Sequence, residues 1–271
     1  MNAPQPKTPA ETYEQYFVPA MFLPWATILL RHAAPRPGER VLDVACGTGI
    51  VARQAAPLVG TGGQVVALDM NPAMLGVGRA QRAPSGAAID WREGSALTLS
   101  FADGTFDVAL CQHGLQFFPD RAASVREMRR VLASGGRAVA IVLQALARHP
   151  VFEALMKSVA RQLSLPVAEV MTPFALDDAG ELRGLFAAAG FGRVDVVPES
   201  TTVRFPDPER FVPLAVASSA AAVPAFAQLE APARAALLEA VRREVEPTLR
   251  NYRDAGHVSF PMYAHVAVAI P

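Results

Sequence analysis

Short apolar runs alternate with longer amphipathic stretches through the first half of the chain. Five of these runs predict buried strands: VLDVA (41–45), VVALD (65–69), AAIDW (87–91), FDVALC (106–111) and RAVAIVL (137–143). One of the helices between them is predicted to begin at Asn71 as its cap, with Pro72 as the first helical residue. Strands that alternate with helices at this spacing predict a parallel sheet with helices on both faces.

Helices are also predicted before and after these strands. Residues 1–10 are proline-rich and predict a loose tail, whereas residues 11–33 predict helix with breaks at Pro19 and Pro24. An amphipathic helix is predicted over 120–133, and the glycine pair that follows is expected to end it.

The second half of the chain has a different order of elements. Residues 181–190 predict a helix, 191–205 a strand, 207–253 a largely helical block and 257–270 a closing strand. Because the sheet resumes after the helical block, we interpret the block as an insertion on the sheet rather than as a second domain.

Composition restricts the class of protein. The chain has 271 residues, of which 51% are hydrophobic and 18% charged, and these amounts suit one domain with a large core. Its 25 basic and 25 acidic residues argue against a nucleic-acid binder that relies on a positive field. Two cysteines, Cys46 and Cys111, are too few for a disulfide framework. The apolar segment 17–30 is short and interrupted by prolines, so we expect a soluble cytoplasmic protein with free thiols.

A glycine-rich loop joins the first predicted strand to the next helix. Gly47, Gly49 and Ala52 match the G-x-G-x-x-A pattern, in which glycines let the backbone approach a ligand and the helix start offers free N–H groups. Asp69 ends the second strand, 20 residues after Gly49, where it can bind a ribose. Both a dinucleotide and an adenosyl ligand fit this arrangement.

Asp43 distinguishes between these two ligands. It lies in the first strand, four residues before Gly47, where a carboxylate would repel a pyrophosphate but suits a ligand with an ammonium group. Together, D-x-A-C-G-T-G resembles motif I of the class I S-adenosylmethionine (SAM) methyltransferases. The resemblance covers about residues 38–143 and includes three further segments: VVALDMNPAML (65–75), WREGSALTLSFADGTFDVALC (91–111) and EMRRVLASGGR (127–137). The pattern is most similar to the ubiquinone/menaquinone-methyltransferase-like branch, which acts on small molecules.

The resemblance implies an α/β fold. We expect a Rossmann-like, doubly wound sheet of seven mostly parallel strands with an antiparallel last strand. A single domain over 1–271 would then comprise N-terminal lid helices (11–34), a SAM-binding core (38–145), a helical substrate cap (206–253) and a terminal strand (257–270).

The resemblance also implies SAM as the cofactor and a set of cofactor contacts. The predicted contacts are Asp43, Ala45, Gly47, Thr48, Gly49, Asp69, Met70, Met74, Gly94, Ser95, Ala96, Cys111, Gln112, Gln116 and Tyr16. Ser95 departs from the pattern, because the family usually has an aspartate there that accepts a hydrogen bond from the adenine amino group. We therefore expect a weaker contact from Ser95, or a substitute from the backbone at Ala96.

His113 is the candidate catalytic residue. It lies just after the fourth strand, at the carboxyl end of the sheet's centre, where doubly wound sheets bind substrates. A histidine there can act as a general base, although a packing role explains it as well. The methyl acceptor is expected to be apolar or aromatic, since the flanking helices are rich in apolar residues: Met21, Phe22, Trp25, Phe211, Leu214, Val216 and Phe226.

The sequence therefore predicts a SAM-dependent methyltransferase that modifies oxygen, nitrogen or carbon of a small molecule by in-line displacement. Two alternatives stay open: a SAM-binding protein that does not methylate, and an NAD(P)-dependent oxidoreductase, which the lack of a Tyr-x-x-x-Lys pair disfavours. No H-E-x-x-H motif and no carboxylate pair follows the fourth strand, so we expect no metal. We expect no nucleic acid and no stable membrane insertion, and both a monomer and a homodimer remain open.

Overall fold

The computed structural model describes residues 8–219, 223–254 and 256–271. Most of the predicted loose tail, residues 1–7, lies outside these ranges. From Thr8 onward the prediction of a tail is wrong, because Thr8 caps a helix that starts at Pro9. Its hydroxyl accepts a hydrogen bond from the Glu11 backbone N–H, and the Glu11 carboxylate accepts one from the Thr8 N–H.

One twisted sheet runs through the molecule in the order β3-β2-β1-β4-β5-β8-β6. Its strands are β1 (Arg40–Val44), β2 (Gln64–Asp69), β3 (Ile89–Glu93), β4 (Phe106–Gln112), β5 (Leu132–Leu143), β6 (Arg193–Pro206), β7 (Arg253–Asp254) and β8 (His257–Ile270). The first five are parallel, whereas β8 runs antiparallel between β5 and β6, and the two-residue β7 pairs with β8. The predicted fold class is confirmed, with β7 as a small addition to the seven main strands.

Helices cover both faces of this sheet. They are α1 (Pro9–Thr12), α2 (Leu23–Ala33), α3 (Ile50–Val59), α4 (Pro72–Arg79), α5 (Arg121–Arg130), α6 (Pro150–Leu163), α7 (Val167–Val170), α8 (Ala179–Ala188), α9 (Pro208–Ser219), α10 (Pro224–Ala227) and α11 (Ala231–Leu249). A π-helix, Tyr13–Phe22, joins α1 to α2 and contains Pro19, so the chain stays helical where the sequence predicted a break. Within the described ranges, none of the helices has the length and apolar character to cross a membrane.

The core has two parts, one on each face of the sheet. Alternation along β1 shows this division, because Val41 packs with α2 and α3, whereas Leu42 and Val44 pack on the opposite face. Both parts are apolar and fully buried around the central strands, as expected for parallel strands covered on two sides.

Two predicted boundaries differ from the structure for identifiable reasons. The third strand was predicted from residue 87, but the Ala87 N–H donates to the Ala56 carbonyl of α3, and strand pairing starts at Ile89. The helix predicted over 120–133 ends at Arg130, since Leu132 already pairs with Phe106. The glycine pair therefore lies inside β5, at an irregularity in its pairing with β4.

Residues 144–180 were left without predicted structure, yet they contain α6 and α7. The sequence signal was present, because residues 151, 152, 155, 156 and 159 are apolar at the three-to-four-residue spacing of a helix face. The structure buries this face in the core.

The chain order reverses at the centre of the sheet, between β1 and β4. β1 pairs with β2 on one side and with β4 on the other, all three strands being parallel. Their carboxyl ends therefore meet at one edge of the sheet, which is where doubly wound sheets form ligand sites.

Candidate functional site

The glycine loop turns sharply from β1 into α3. Ala45, Gly47 and Gly49 all have positive φ, at 56°, 57° and 80°, and Gly49 is the residue that precedes α3. Glycine adopts this conformation without strain, whereas alanine does so at some energetic cost. A side chain at Gly49 would also meet Trp91, since an added Cβ would lie 2.3 Å from the indole Cη2.

Asp69 braces this loop from the end of β2. Its Oδ2 accepts a hydrogen bond of 2.7 Å from the Gly47 N–H, and its Oδ1 accepts one of 2.8 Å from the Asn71 N–H. The carboxylate is half-buried and lines a cavity, so each oxygen keeps a lone pair for a ligand.

Asp43 lies beneath the loop and is 1% exposed. Its Oδ2 accepts a hydrogen bond of 3.0 Å from the Ala52 N–H in the first turn of α3. Burial raises the pKa of Asp43 to about 8; Asp69 adds to this shift, and the Ala52 hydrogen bond opposes it. At this pKa the Asp43 carboxyl holds its proton at neutral pH.

A cavity of about 370 Å³ opens above these residues, and we call it the glycine-loop cavity. Nine of the predicted site residues line it: Ala45, Gly47, Asp69, Met70, Met74, Gly94, Ser95, Ala96 and His113. Met70 stands at the rim and is 77% exposed. The Ser95 hydroxyl accepts a hydrogen bond from the Leu97 N–H at 3.1 Å and keeps its own proton to donate.

Four other predicted cofactor contacts lie behind the wall of this cavity. Asp43 and Thr48 are buried beneath the loop, Gly49 is covered by Trp91, and Cys111 is fully buried in β4. The Thr48 hydroxyl has no hydrogen-bond partner in the described part of the chain. Burial raises the pKa of Cys111, so the thiol is protonated and inert.

A second cavity, of about 200 Å³, lies on the other side of His113, and we call it the aromatic cavity. Its lining is Tyr13, Phe17, Met21, Phe22, Ala45, Gln112, His113, Gln116, Phe117, Leu143, Phe152, Pro173, Phe174 and Ser218. Gln112 and Gln116, predicted as cofactor contacts, line this cavity and not the glycine-loop cavity. The two cavities share four residues: Tyr13, Ala45, His113 and Phe117.

His113 stands at this shared wall in an unusual backbone conformation. Its φ is +50°, and its N–H donates to the Ile141 carbonyl at 2.9 Å. The imidazole packs edge-on against Trp25, with ring centroids 5.7 Å apart. A non-glycine residue at positive φ stores strain, and such strain clusters at functional sites.

The imidazole of His113 is 8% exposed, and neither ring nitrogen has a hydrogen-bond partner among the described residues. Burial lowers the pKa of His113 to about 3, and the charge of His149 acts in the same direction. The ring is therefore neutral at physiological pH, with one nitrogen able to accept a hydrogen bond and the other able to donate one.

Two glutamines extend this polar edge of the aromatic cavity. Gln112 donates from Nε2 to the Phe22 carbonyl at 3.0 Å, while its Oε1 has no partner within the described ranges. Gln116 is 3% exposed, and its Oε1 is also without a partner there. Buried polar atoms in native proteins are nearly always paired, so a cluster of unpaired ones indicates a ligand site.

Tyr16, the aromatic residue predicted to face the cofactor, lines neither cavity. Its hydroxyl donates to the Pro206 carbonyl at 2.9 Å, and its ring packs near Phe205. Tyr13 lies at the shared wall instead, with its hydroxyl over the glycine loop, 3.5 Å from where a Cβ of Gly47 would stand. Burial raises the pKa of Tyr13, and Asp69 adds to the shift, so the phenol stays protonated.

The sequence also missed residues of the aromatic cavity that lie far along the chain. Phe152 and Phe174 come from the segment without predicted structure, and the amphipathic pattern of α6 was the available signal for Phe152. Of the apolar residues predicted to form the acceptor pocket, Met21 and Phe22 line the cavity. The others pack in the hydrophobic core: Trp25, Phe211, Leu214, Val216 and Phe226.

Among the residues that the structure describes, no group of three or more His, Cys, Asp or Glu side chains could hold a metal ion. The polar side chains that line the two cavities include the Asp69 carboxylate, the Gln112 and Gln116 amides and the His113 imidazole. Such a set suits an organic ligand with hydroxyl groups next to a ring-shaped apolar one.

Solved structures similar to this chain share its fold. A putative methyltransferase from an antibiotic biosynthesis pathway of Anabaena variabilis aligns with a TM-score of 0.60 and 14% identity, over 92% of this chain and 97% of that one. At this identity the likeness concerns the fold alone.

Sequence relatives are closer but match a shorter part of the chain. A 2-phytyl-1,4-naphtoquinone methyltransferase of Synechococcus elongatus is 41% identical over 116 residues, which are 42% of this chain and 50% of that protein. A ubiquinone/menaquinone biosynthesis C-methyltransferase of Cellvibrio japonicus is 41% identical over 115 residues, which are 42% of this chain and 46% of that protein. The chain thus spans about half the length of the curated relatives that it matches.

A family model covers much more of the chain than these pairwise matches. It spans residues 20–202, from the π-helix through most of β6, and includes both glutamines and His113. Tyr13 and the helices that follow β6 lie outside it. Because the matched range is about two thirds of the 271 residues, the chain belongs to the ubiE/COQ5 methyltransferase family.

Proposed function

We propose that this protein transfers a methyl group from SAM to an apolar, ring-shaped small molecule of the quinone type. The observation that carries the proposal is the shared wall of Tyr13, Ala45, His113 and Phe117 between the two cavities. One cavity has the carboxylate and backbone groups that an adenosyl ligand needs, and the other is lined by aromatic rings. A donor and an acceptor bound in them would meet at His113.

The residues of the glycine-loop cavity fit SAM. Asp69 lines the cavity with free lone pairs for the ribose hydroxyls, and Gly47 lines it without a side chain between the loop backbone and a ligand. Met70 and Met74 offer apolar contact to the adenine, and the cavity volume of about 370 Å³ lies within the range of small-molecule sites. When bound, SAM supplies an electrophilic methyl group and a neutral thioether as leaving group.

The protein's own contribution is alignment and exclusion of water. Tyr13 and Phe22, whose rings stack at 4.7 Å, close the aromatic cavity from the N-terminal side. Holding two reactants in the right geometry supplies about 7–11 kcal/mol of the barrier reduction in well-aligned reactions. A fixed set of catalytic side chains is therefore unnecessary.

His113 receives the proton that the acceptor loses. With a pKa near 3 it is a weak base on its own, so we propose that it first accepts a hydrogen bond from an acceptor hydroxyl. The imidazole would then take up this proton as the acceptor gains the methyl group. For a carbon acceptor, loss of the hydroxyl proton to His113 makes the ring more nucleophilic. Once the ring carbon carries the methyl group, its C–H proton leaves to solvent and the oxygen regains a proton from His113, which restores the aromatic ring.

The quinone-type acceptor is suggested by the relatives. The 2-phytyl-1,4-naphtoquinone methyltransferase and the ubiquinone/menaquinone enzymes are named for quinone substrates. The aromatic rings of Phe17, Phe22 and Phe152 provide the matching apolar walls in this chain.

Calorimetric titration with S-adenosylhomocysteine and, separately, with NADH tests the cofactor, and transfer of labelled methyl from SAM to reduced quinones tests the reaction. We expect S-adenosylhomocysteine to bind, NADH not to bind, and His113→Phe to lower kcat about 100-fold without changing S-adenosylhomocysteine affinity. His257→Phe, at the distant start of β8, is the matched control and should keep full activity. Binding of NADH alone would support the oxidoreductase, and cofactor binding without any methylated product would support the non-methylating protein.

A further inference from the structure

The aromatic cavity is small for a family named after tailed quinones. Its volume is about 200 Å³. An apolar protein cavity of about 150 Å³ is enough for benzene, whereas larger organic ligands occupy pockets of roughly 300–1,000 Å³. The cavity therefore has room for one substituted aromatic ring.

Further rings stand behind its walls. Phe152 packs edge-on against Phe260 at 5.7 Å, and Phe174 packs against His149 at 5.2 Å and against Phe152 at 5.9 Å. Both phenylalanines are buried, and protein interiors are close-packed. A long alkyl tail extending past this side would have to displace the second layer of rings.

The polar edge of the cavity includes two buried hydrogen-bond acceptors, the side-chain oxygens of Gln112 and Gln116, that no donor among the described residues reaches. The bond from Gln112 Nε2 to the Phe22 carbonyl fixes the orientation of that amide, and its buried Oε1 has no partner within the described ranges. Gln116 adds a second buried oxygen without a partner in the described part of the chain. Carbonyl and ether oxygens of a ligand cannot satisfy these atoms, whereas hydroxyl groups can.

We infer that the acceptor is a compact single aromatic ring that carries hydroxyl groups and no long tail, with Gln112 and Gln116 as the residues that select it. The inference rests on the proposed function for treating this ligand as the methyl acceptor. It separates the chain from its curated relatives, one of which is named for a phytyl-substituted naphthoquinone. The π-helix contributes to this selectivity, because the Phe22 carbonyl at its end accepts a hydrogen bond from Gln112 and orients the amide.

Binding to protein saturated with S-adenosylhomocysteine tests the inference with three probes. The probes are methylhydroquinone kept reduced by ascorbate, its dimethyl ether, and the same hydroquinone ring with a tail of four isoprene units. We expect methylhydroquinone to bind at least tenfold more tightly than its dimethyl ether, because only the former has donors for the two amides. The tailed ring should bind no more tightly than methylhydroquinone. Fluorescence of Trp25, which packs against His113, reports filling of the cavity.

Gln116→Leu tests the selection at one residue. It removes the unpaired oxygen with little change in volume, so methylhydroquinone should bind about tenfold more weakly and the dimethyl ether about as before. Gln81→Leu is the matched control, because Gln81 follows α4 and lines neither cavity; it should change neither affinity. The comparison of the three probes on unaltered protein does not depend on how either variant folds.

The outcomes separate this inference from the proposed function. Equal binding of the dimethyl ether, or tighter binding of the tailed ring, overturns the inference even when S-adenosylhomocysteine binds and methyl transfer occurs. If the compact hydroquinone binds as expected but never gains a methyl group from SAM, the proposed reaction is wrong, and the selection of a compact hydroxylated ring stands.

Discussion

The glycine-loop cavity and the aromatic cavity share a wall but are built in opposite ways. In the first, the two carboxyl groups are partnered by backbone N–H groups: Asp69 accepts from Gly47 and Asn71, and Asp43 accepts from Ala52. In the second, Gln116 and His113 are buried with polar atoms that have no partner among the described residues. One cavity is already organised, and the other needs its ligand to complete its hydrogen bonds.

The difference follows from where the residues come from. Gly47 in the glycine loop and Asp69 at the end of β2 are 22 residues apart, so a single strand-helix-strand unit fixes their contact. The aromatic cavity is assembled from the π-helix, the end of β4, α6 and the turn at Phe174. A cavity assembled from distant segments can change its ligand while the glycine-loop cavity stays constant. The match to a curated relative, which covers 42% of this chain, fits this division.

The largest expected effect concerns Asp69. Asp69→Ala removes the charged acceptor for the ribose hydroxyls, and two charge-assisted hydrogen bonds are worth about 4 kcal/mol. We therefore expect S-adenosylhomocysteine to bind about 1,000-fold more weakly in calorimetry, while methylhydroquinone binds the aromatic cavity as before.

Asp90→Ala provides the control for that variant. Asp90 is an exposed carboxylate in the neighbouring strand β3, paired with Arg92 at 2.8 Å and outside both cavities. Its removal should leave cofactor affinity unchanged. A loss of less than tenfold in Asp69→Ala would mean that the carboxylate only braces the loop, and the contrast between the cavities would weaken.

Gly49→Ala should destabilise the glycine loop, because the backbone conformation at this position suits glycine. The residue has a φ of 80°, and a Cβ would stand 2.3 Å from Trp91, so both strain and overpacking oppose the substitution. We expect the free energy of unfolding to fall by about 3 kcal/mol in urea titration. Gly62→Ala is the control, because an added Cβ there has no atom within 4 Å; a similar loss in both variants would contradict the explanation.

The two cavities also differ in how much of each could be predicted from the sequence. The sheet and the glycine loop were predictable, because apolar runs and positive-φ glycines leave a local signature, as at Gly47 and Gly49. The aromatic cavity was predictable only in part: Met21 and Phe22 were expected there, whereas Phe152 and Phe174 lie beyond residue 143, where the resemblance ended. Tyr16 was predicted to face the cofactor, yet within the π-helix it is Tyr13 that reaches the shared wall of the two cavities.

The buried Asp43 beneath the glycine loop should make the stability of the protein depend on pH. Its folded pKa of about 8 lies above the ordinary value of 3.8, so between these values the folded state holds a proton that the unfolded state has lost. The free energy of unfolding should therefore decrease with rising pH, on the order of 1 kcal/mol per pH unit for this group. His113, with its lowered pKa, acts in the opposite direction below its ordinary value of 6.5.

The difference between the unaltered protein and Asp43→Asn isolates the Asp43 contribution, since His113 is present in both. Asparagine keeps an oxygen for the Ala52 N–H but has no proton to lose. Urea unfolding at pH 5, 6.5 and 8 should show that the variant gains stability relative to the unaltered protein as the pH rises. A constant difference across this range would show that the buried carboxyl is ionised throughout.

The smallest expected effect concerns Gln116, whose stability contribution directly tests the contrast between the two cavities. Gln116 and Gln144 are both 3% exposed, but Gln144 donates from Nε2 to the Ala264 carbonyl and accepts from Arg148, whereas the Gln116 oxygen has no partner in the described structure. Gln144→Leu should therefore lower the free energy of unfolding by about 2 kcal/mol, and Gln116→Leu should raise it by about 1 kcal/mol without ligand. Opposite signs in urea titration would show that the aromatic cavity sacrifices stability for ligand recognition. Equal losses would show that the Gln116 oxygen is already satisfied in the free protein, and that its loss weakens hydroquinone binding for another reason.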